Sequence, residues 1–458
     1  MGNASTVAAA PHQDAMDKAV RHLARSYAPR GNYIGFLMLA SLFVEAWDFY
    51  SAAFVLVFIK EEYNPPAALL GLSAASVQAG AVIGALLGGW LTDKLGRKVM
   101  FMISIALFIV LALAQSFATS VLMLIGIRFA LGIPLGADVT TGYTYIMEYL
   151  PQGRRDVMGN RWQVMFATGN VVCSVVVVGF LLLGIPHHWI WRLVLGLGAL
   201  PALVILLMRT ELPETSIWLV RQGRFREAKQ TSMRMYNDNL DMLPDQDVTI
   251  SRPAFLAFLA DIRSDPIRWR AAIYAWLSFF CCGGQFSTFG FYIPVIFTMV
   301  GVSSMIGTSL TTGAIWFIAG IAAWVGPAIT PRIGQRWIGI SGFSTVIAGL
   351  LLAAWALYTS HPLVLPLAAT IVLWGHTWAV TNPLTIGTVV ARAQYRGIMG
   401  GVTYVFNKVA VFLGIFLFPS LFAAIGQANA TVLVLIFPIS ALLLAIFLFK
   451  EVYGYQLD

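Results

Sequence analysis

Apolar runs of about 20 residues recur along nearly the whole chain, separated by short polar breaks, and each is long enough to cross a bilayer as a helix. Twelve can be drawn. Six fall in the first half, over about Asn32–Ile59, Ala67–Leu91, Val99–Phe117, Val121–Tyr149, Asn160–Leu183 and Ile190–Met208. Six fall in the second, over about Trp269–Val300, Ser304–Ile329, Trp337–Tyr358, Leu363–Val390, Ile398–Ile425 and Thr431–Phe449. The pattern predicts an all-α membrane protein with twelve transmembrane helices in two six-helix halves, residues 32–209 and 269–450. A polar linker with short surface helices, 210–268, joins them, and tails 1–31 and 451–458 flank them. On the second run Gly80, Gly84 and Gly88 lie four apart, a spacing that lets helix backbones approach. Residues 1–31 lack the apolar core of a signal peptide, so they are expected to stay uncleaved, as a mobile tail ending in an amphipathic segment.

Composition agrees with this pattern: 59% of residues are hydrophobic and only 11% charged, too little polar surface for a soluble protein of 458 residues. The net charge of +8 is unevenly placed. Lys18, Arg21, Arg25 and Arg30 precede the first run, and Lys94, Arg97, Lys98, Arg154, Arg155, Arg161, Arg332, Arg336, Arg392 and Arg396 fall in the even-numbered connections. The opposite connections carry little more than Lys60 and Arg192. This distribution predicts both termini in the cytoplasm, and it reads the basic balance as membrane orientation rather than nucleic-acid binding. Cys173, Cys281 and Cys282 lie in apolar runs and read as small buried hydrophobes. No nucleotide loop, metal-ligand cluster or activated nucleophile stands out, so neither an enzyme nor a cofactor beyond a coupling proton is expected.

Gly89-Trp90-Leu91-Thr92-Asp93-Lys94-Leu95-Gly96-Arg97-Lys98 must be a tight charged connection between the second and third runs. Gly96 allows a turn with positive φ, and Asp93 can accept from a neighbouring helix start or pair with a cation. The stretch resembles the signature loop of the major facilitator superfamily. A degraded echo, Pro331-Arg332-Ile333-Gly334-Gln335-Arg336, follows 238 residues on, with Pro331 in the place of Asp93. That offset predicts two homologous halves, the plan of many secondary transporters. After the sixth run, Pro213-Glu214-Thr215-Ser216-Ile217-Trp218-Leu219 and Gly223-Arg224-Phe225-Arg226-Glu227-Ala228 resemble elements of sugar porters and organic-ion transporters.

An ionised side chain at the bilayer centre costs about 2.5–3.5 kcal/mol on insertion scales, so such residues point to a cavity, a partner or a proton site. Here they are Glu45, Asp48, Arg128, Asp138 and Lys408, with the titratable His376. Asp48 and Arg128 lie at similar depth on the first and fourth helices and are plausible partners. Arg128-x-x-x-Gly132-x-x-x-Gly136 resembles the superfamily's fourth-helix element, where the arginine meets an acid that carries the proton in proton-coupled relatives. Val44-Glu45-Ala46-Trp47-Asp48 and Gly136-Ala137-Asp138 resemble elements of nicotinate and phosphate–proton symporters. The departures are Glu45 for Asp, and Val139-Thr140 where phosphate transporters have Tyr-Pro. Glu45 and Asp138 are therefore further proton candidates, and a helix-end acceptor is the other reading of Asp138.

Lys408 is a lone cation about twelve residues into the eleventh run, too deep to reach water easily. The resemblance places it where organic-anion and phosphate transporters carry a basic residue that binds an anionic substrate. The other reading is pairing with an acid across the bundle. Trp374, His376, Asn382 and Asn407, with Gln285, Phe289 and Tyr292, offer stacking and hydrogen-bonding surface for a substrate body. Asp93, Arg97, Glu148, Arg154 and Arg155 are assigned to a gating charge network at the cytoplasmic face, and Tyr395-Arg396-Gly397, the second-half counterpart of the Glu148 element, has lost the acid.

The resemblance implies a major facilitator near the nicotinate, phosphate and organic-ion branch. It would be a monomeric proton symporter importing a small organic anion, an aromatic or other monocarboxylate, by alternating access. The outer turn Glu61–Pro66 is short, unlike the large outer domain of animal organic-ion transporters, which favours a bacterial or other microbial member, expected in a bacterial inner membrane. The alternatives are a sugar or inorganic phosphate symporter, or a membrane receptor without flux. Sugar binding would not need Lys408.

Overall fold

A computed structural model describes residues 10–151, 154–248, 257–299 and 304–454. Parts of both expected tails (1–9 and 455–458), part of the linker (249–256) and Val300 at the end of the seventh run lie outside the described residues. Among the described residues every regular element is helical. Ten helices are long and apolar enough to cross a membrane. Helix 1 is Gly31–Tyr63, helix 3 Arg97–Gln115, helix 4 Val121–Tyr149, helix 5 Arg154–Leu182, helix 6 His187–Arg209, helix 10 Pro362–Val389 and helix 12 Gln427–Leu448. Helix 2 is Ala67–Leu95 and helix 11 is Arg396–Ile425. One run, Met305–Tyr358, contains two crossings, helices 8 and 9, joined at a kink where Gly334 has φ +85°. Helix 7 makes the twelfth crossing. The protein is thus a multi-pass integral membrane protein of the expected fold class.

Helices 1 and 7 depart from the expected continuity. Helix 1 breaks at Ala40, which leaves the Met38 carbonyl to accept from Arg209 and from the Ser41 hydroxyl. Helix 7 runs Pro266–Gln285, opens into a π turn over Phe286–Gly290, and resumes as Ile293–Met299. In that turn the Ser287 and Thr288 hydroxyls both donate to the Gly284 carbonyl, at 3.1 and 2.8 Å, competing with the backbone ladder.

Helices 2 and 4 pack backbone to backbone, as their glycines require. A Cβ added at Gly84 would stand 2.0 Å from the Ile133 carbonyl oxygen, and one at Gly132 would stand 2.0 Å from that of Val77. Neither backbone can yield without separating the helices. Gly132→Val should therefore destabilise the protein by more than the roughly 1–3 kcal/mol of ordinary overpacking. Loss of the monodisperse peak in detergent chromatography would report it, and an unshifted melt would refute it.

The two halves repeat a local device. Gly96 has φ +105°, and the amide of Lys98 donates to Glu214 at 3.1 Å. At the matching place in the second half Gly334 has positive φ, and the amide of Arg336 donates to Glu451 at 3.0 Å. Burial pushes the Glu214 carboxyl above the usual carboxylate range, against the pull of Arg97 and of the Thr215 and Lys98 amides.

The linker forms short helices at Ser216–Arg221, Phe225–Tyr236 and Ala257–Arg263. Within the expected tail, Ala10–Leu23 forms an amphipathic helix, the amphipathic segment expected there. Met16, Ala19, Val20 and Leu23 pack with Ile217, Val220 and Phe225 of the linker, and Arg221 pairs with Asp17 at 2.7 Å.

Candidate functional site

Buried acid–base pairs organise the interior. Arg128 of helix 4 donates to Asp48 of helix 1 at 3.2 Å and to Gln115 of helix 3 at 2.8 Å, and Gln115 in turn donates to Asp48 at 3.3 Å. All three are buried. The expected partnership of Asp48 with Arg128 is therefore formed, and Gln115, which sequence reasoning missed, completes it. Asp138 is held by Arg209 at 2.7 Å, and the same guanidinium donates to Ser41 at 2.8 Å. Arg209 was overlooked because it closes helix 6, where a basic residue reads as an orientation signal. Only the tertiary fold turns it inward to an acid on helix 4.

Glu45 and Lys408 form the pair that joins the halves. The Lys408 ammonium donates to one carboxylate oxygen of Glu45, and the Tyr404 hydroxyl donates to the other at 2.6 Å. The second reading of Lys408, pairing with an acid across the bundle, is therefore formed, and the acid is Glu45 of the opposite half. Removing a single partner of such a buried pair leaves an uncompensated charge.

These two side chains line a central cavity between helices 1, 5, 7, 10 and 11. Its walls combine Phe49, Trp162, Phe166, Phe286 and His376 with Gln163, Tyr404 and Asn407. Phe286 stacks on His376 at 4.8 Å between centroids and on Phe49 at 5.7 Å. The Gln163 carbonyl oxygen, the His376 Nδ1 atom and the Trp162 indole nitrogen are buried with no hydrogen-bond partner. The cavity volume is about 30 Å³, room for water molecules but not for a metabolite.

Of the expected substrate residues, Lys408, His376 and Asn407 reach this cavity, and Gln285, Phe289, Tyr292, Trp374 and Asn382 do not. Helical phase is the reason. Cys282 and Phe286, four residues apart, face the cavity, which turns Gln285 by about 100° to another side. Tyr292 donates to the Ile415 carbonyl at 2.7 Å, and Trp374 lies beside Trp378, whose indole donates to Ala322 of helix 8. Asn382 braces the halves, accepting from Asn160 at 3.1 Å and donating to the Gln335 carbonyl at 2.7 Å. Phe49, Trp162, Gln163, Phe166 and Tyr404 were missed because a run of apolar and aromatic residues in a membrane helix does not show which face is inward.

The site is closed on both sides. On the face with the basic connections, Arg97 holds Glu148 at 2.7 Å and Asp93 at 3.1 Å. Asp93 also accepts from the amide of Ile398, at the start of helix 11, at 3.1 Å. Thr215 of the linker donates to Glu148, and Gln335 donates to Asp156 across the halves at 3.1 Å. Arg155 is buried nearby, whereas Arg154 stands outside this network with its guanidinium 4.8 Å from the Tyr27 ring. On the opposite face Tyr50 donates to Gly290 at 3.1 Å and Ser174 donates to Ser309. No group of His, Cys, Asp or Glu among the described residues could hold a metal ion.

The profile of the family described as Sugar (and other) transporter matches residues 35–457. The chain belongs to this transporter family. It is 28% identical over 292 residues, 62% of each chain, to the inner membrane metabolite transport protein YgcS of Escherichia coli. It is 34% identical to the Escherichia coli arabinose-proton symporter over 40% of this chain and 38% of that one. The probable metabolite transport protein CsbC of Bacillus subtilis matches at 26% identity over 88% of each. The chain thus spans less than two thirds of the first two of these relatives. The solved structure of the major facilitator proton:xylose symporter XylE bound to 6-bromo-6-deoxy-D-glucose superposes with a TM-score of 0.77 at 18% identity, covering 94% of this chain and 98% of that one. That likeness establishes the major facilitator fold. Membership in the sugar transporter family takes the place of the expected nicotinate, phosphate and organic-ion branch, which these matches do not support.

Proposed function

We propose that the protein is a proton-coupled symporter of a small, polyhydroxylated, sugar-like metabolite. The observation that carries this reading is the neutralisation of Lys408 by Glu45 in the cavity wall. The wall then presents no net charge, but it does present aromatic faces and unpartnered amide, imidazole and indole groups. A polyol can stack its C–H face on the rings and offer hydroxyls to the polar atoms. A relative points the same way, since the chain resembles an arabinose-proton symporter over part of its length. Asp48 is the proton site: paired with Arg128 and Gln115 one helical turn from Glu45, it can gain a proton when the pair parts. The basic face is cytoplasmic by the positive-inside distribution, and the cavity alternates between faces as the halves rock.

The organic-anion reading retains one supporting observation, the position of the Lys408 ammonium in the wall. Uptake into proteoliposomes under an inward proton gradient separates the two. Labelled pentoses, hexoses and inositols should accumulate, and monocarboxylates should not. Accumulation of carboxylates alone would reverse the assignment, and no flux of either class would favour a receptor.

A further inference from the structure

A second crevice lies on the basic face, away from the central cavity. It is lined by Asn32, Arg154, Arg161, Pro331 and Tyr453, and so opens between helix 5 of one half and the helix 8 end of the other. Its two cations, Arg154 and Arg161, are each set against an aromatic ring. Arg154 has its guanidinium against the exposed ring of Tyr27, and Arg161 has its own 4.6 Å from the half-exposed ring of Trp324. Neither has a carboxylate partner among the described residues, and the Arg161 Nε atom is buried with no partner at all. Elsewhere in this chain the buried guanidiniums of Arg97, Arg128 and Arg209 each meet an acid. Two arginine forks sharing one crevice fit an oxyanion that can accept several N–H donors at once.

We propose that this crevice binds the phosphate-bearing headgroup of an anionic phospholipid. A lipid fits better than a free anion because the surroundings are those of a membrane interface. Tyr27 and Trp324, whose rings meet its two guanidiniums, are exposed, as is Tyr33 next to Asn32 of the lining, and aromatic side chains of this kind are enriched at headgroup level. Basic pockets between membrane helices on the cytoplasmic side are recognised headgroup sites. The placement also links the lipid to transport. Arg161 is followed directly by Trp162 and Gln163 of the central cavity wall, and Asn160 bonds to Asn382 of the other half. A bound headgroup tethers the start of helix 5 beside the helix 8 end and so favours the state closed on this face.

The test uses the full chain purified in a neutral detergent, with binding read by native mass spectrometry and by thermal shift. Phosphatidylglycerol, phosphatidylcholine and inorganic phosphate are titrated in parallel. Phosphatidylglycerol should bind and raise the melting temperature, and the other two should not. In R154Q/R161Q its affinity should fall about thirty-fold, from the roughly equal contributions of two basic residues near a lipid surface. R154K/R161K should fall between, because a point charge replaces each fork. If the double variant is not monodisperse, R154Q alone, at an exposed position, should lose about five-fold. Unchanged phosphatidylglycerol affinity in the variants overturns the site. An equal shift with inorganic phosphate overturns the lipid and leaves a soluble anion. No transported substrate enters these measurements, so they stand apart from the assignment of a polyol.

Discussion

Proton-driven accumulation should be lost in Asp48→Asn, while exchange of substrate down its own gradient remains measurable. Asparagine keeps the size of the side chain and an oxygen for Arg128, but it cannot take up a proton. In the folded protein Asp48 is buried and shares its two oxygens between Arg128 and Gln115. When the pair separates, both carboxylate oxygens are freed to meet water and a proton, as coupling by rocking halves requires. The substitution also leaves Arg128 as a buried charge without its acid, and breaking a buried pair this way costs about 3–5 kcal/mol. Asp48→Asn/Arg128→Gln removes both charges and should recover much of that stability without recovering accumulation. Uptake into proteoliposomes with and without an imposed pH gradient, alongside melting curves, checks both statements. Gradient-driven uptake at the wild-type level in the single variant would transfer the coupling role to Glu45 or Asp138.

Lys408→Ala should unfold more easily by about 3–5 kcal/mol, because it strands the Glu45 carboxylate between helices 1 and 11. Glu45→Gln/Lys408→Met removes both charges and should be the milder change. The double variant breaks the additivity of the singles, which marks direct coupling between the two positions. Binding discriminates the substrate class. If the site takes a neutral polyol, its affinity should move by less than about tenfold in the double variant, since neither charge is a necessary partner of a hydroxyl. If Lys408 instead meets a substrate carboxylate, the acid should lose about thirty-fold or more in Lys408→Ala, while its amide analogue loses little. Melting temperature and isothermal binding on the same preparations read both outcomes.

Much of the architecture was legible in the chain before folding. The length and number of apolar runs, the spacing of Gly80, Gly84 and Gly88, and the repeat of Gly96 at Gly334 each state a local requirement. A span must be long enough for the bilayer, a close helix crossing needs small residues, and a turn with positive φ favours glycine. The pairing of Asp48 with Arg128 followed from two charges at equal depth, because a bilayer leaves few ways to accommodate them. The acid that meets Lys408 was less legible, because Glu45 stood beside Asp48 as a further proton candidate although it was an available partner across the bundle. The interruptions at Ala40 and Phe286 were not legible, since hydropathy does not register a backbone carbonyl or hydroxyl diverted to another partner.

By itself the sequence determined that this is a twelve-helix membrane transporter fold with two related halves, a tight basic loop after helix 2 and a set of intramembrane charges that must find partners. Those properties follow from the solvent: the bilayer forces every backbone group into helices and makes each charge exceptional. Only the tertiary structure decided which charges meet, that Glu45 takes Lys408 and Asp138 takes Arg209, and which faces of helices 1, 5, 7, 10 and 11 surround the cavity. A residue's neighbours across the bundle depend on helix rotation and on contacts hundreds of residues apart. In a helix apolar on nearly all sides, periodicity does not encode that rotation.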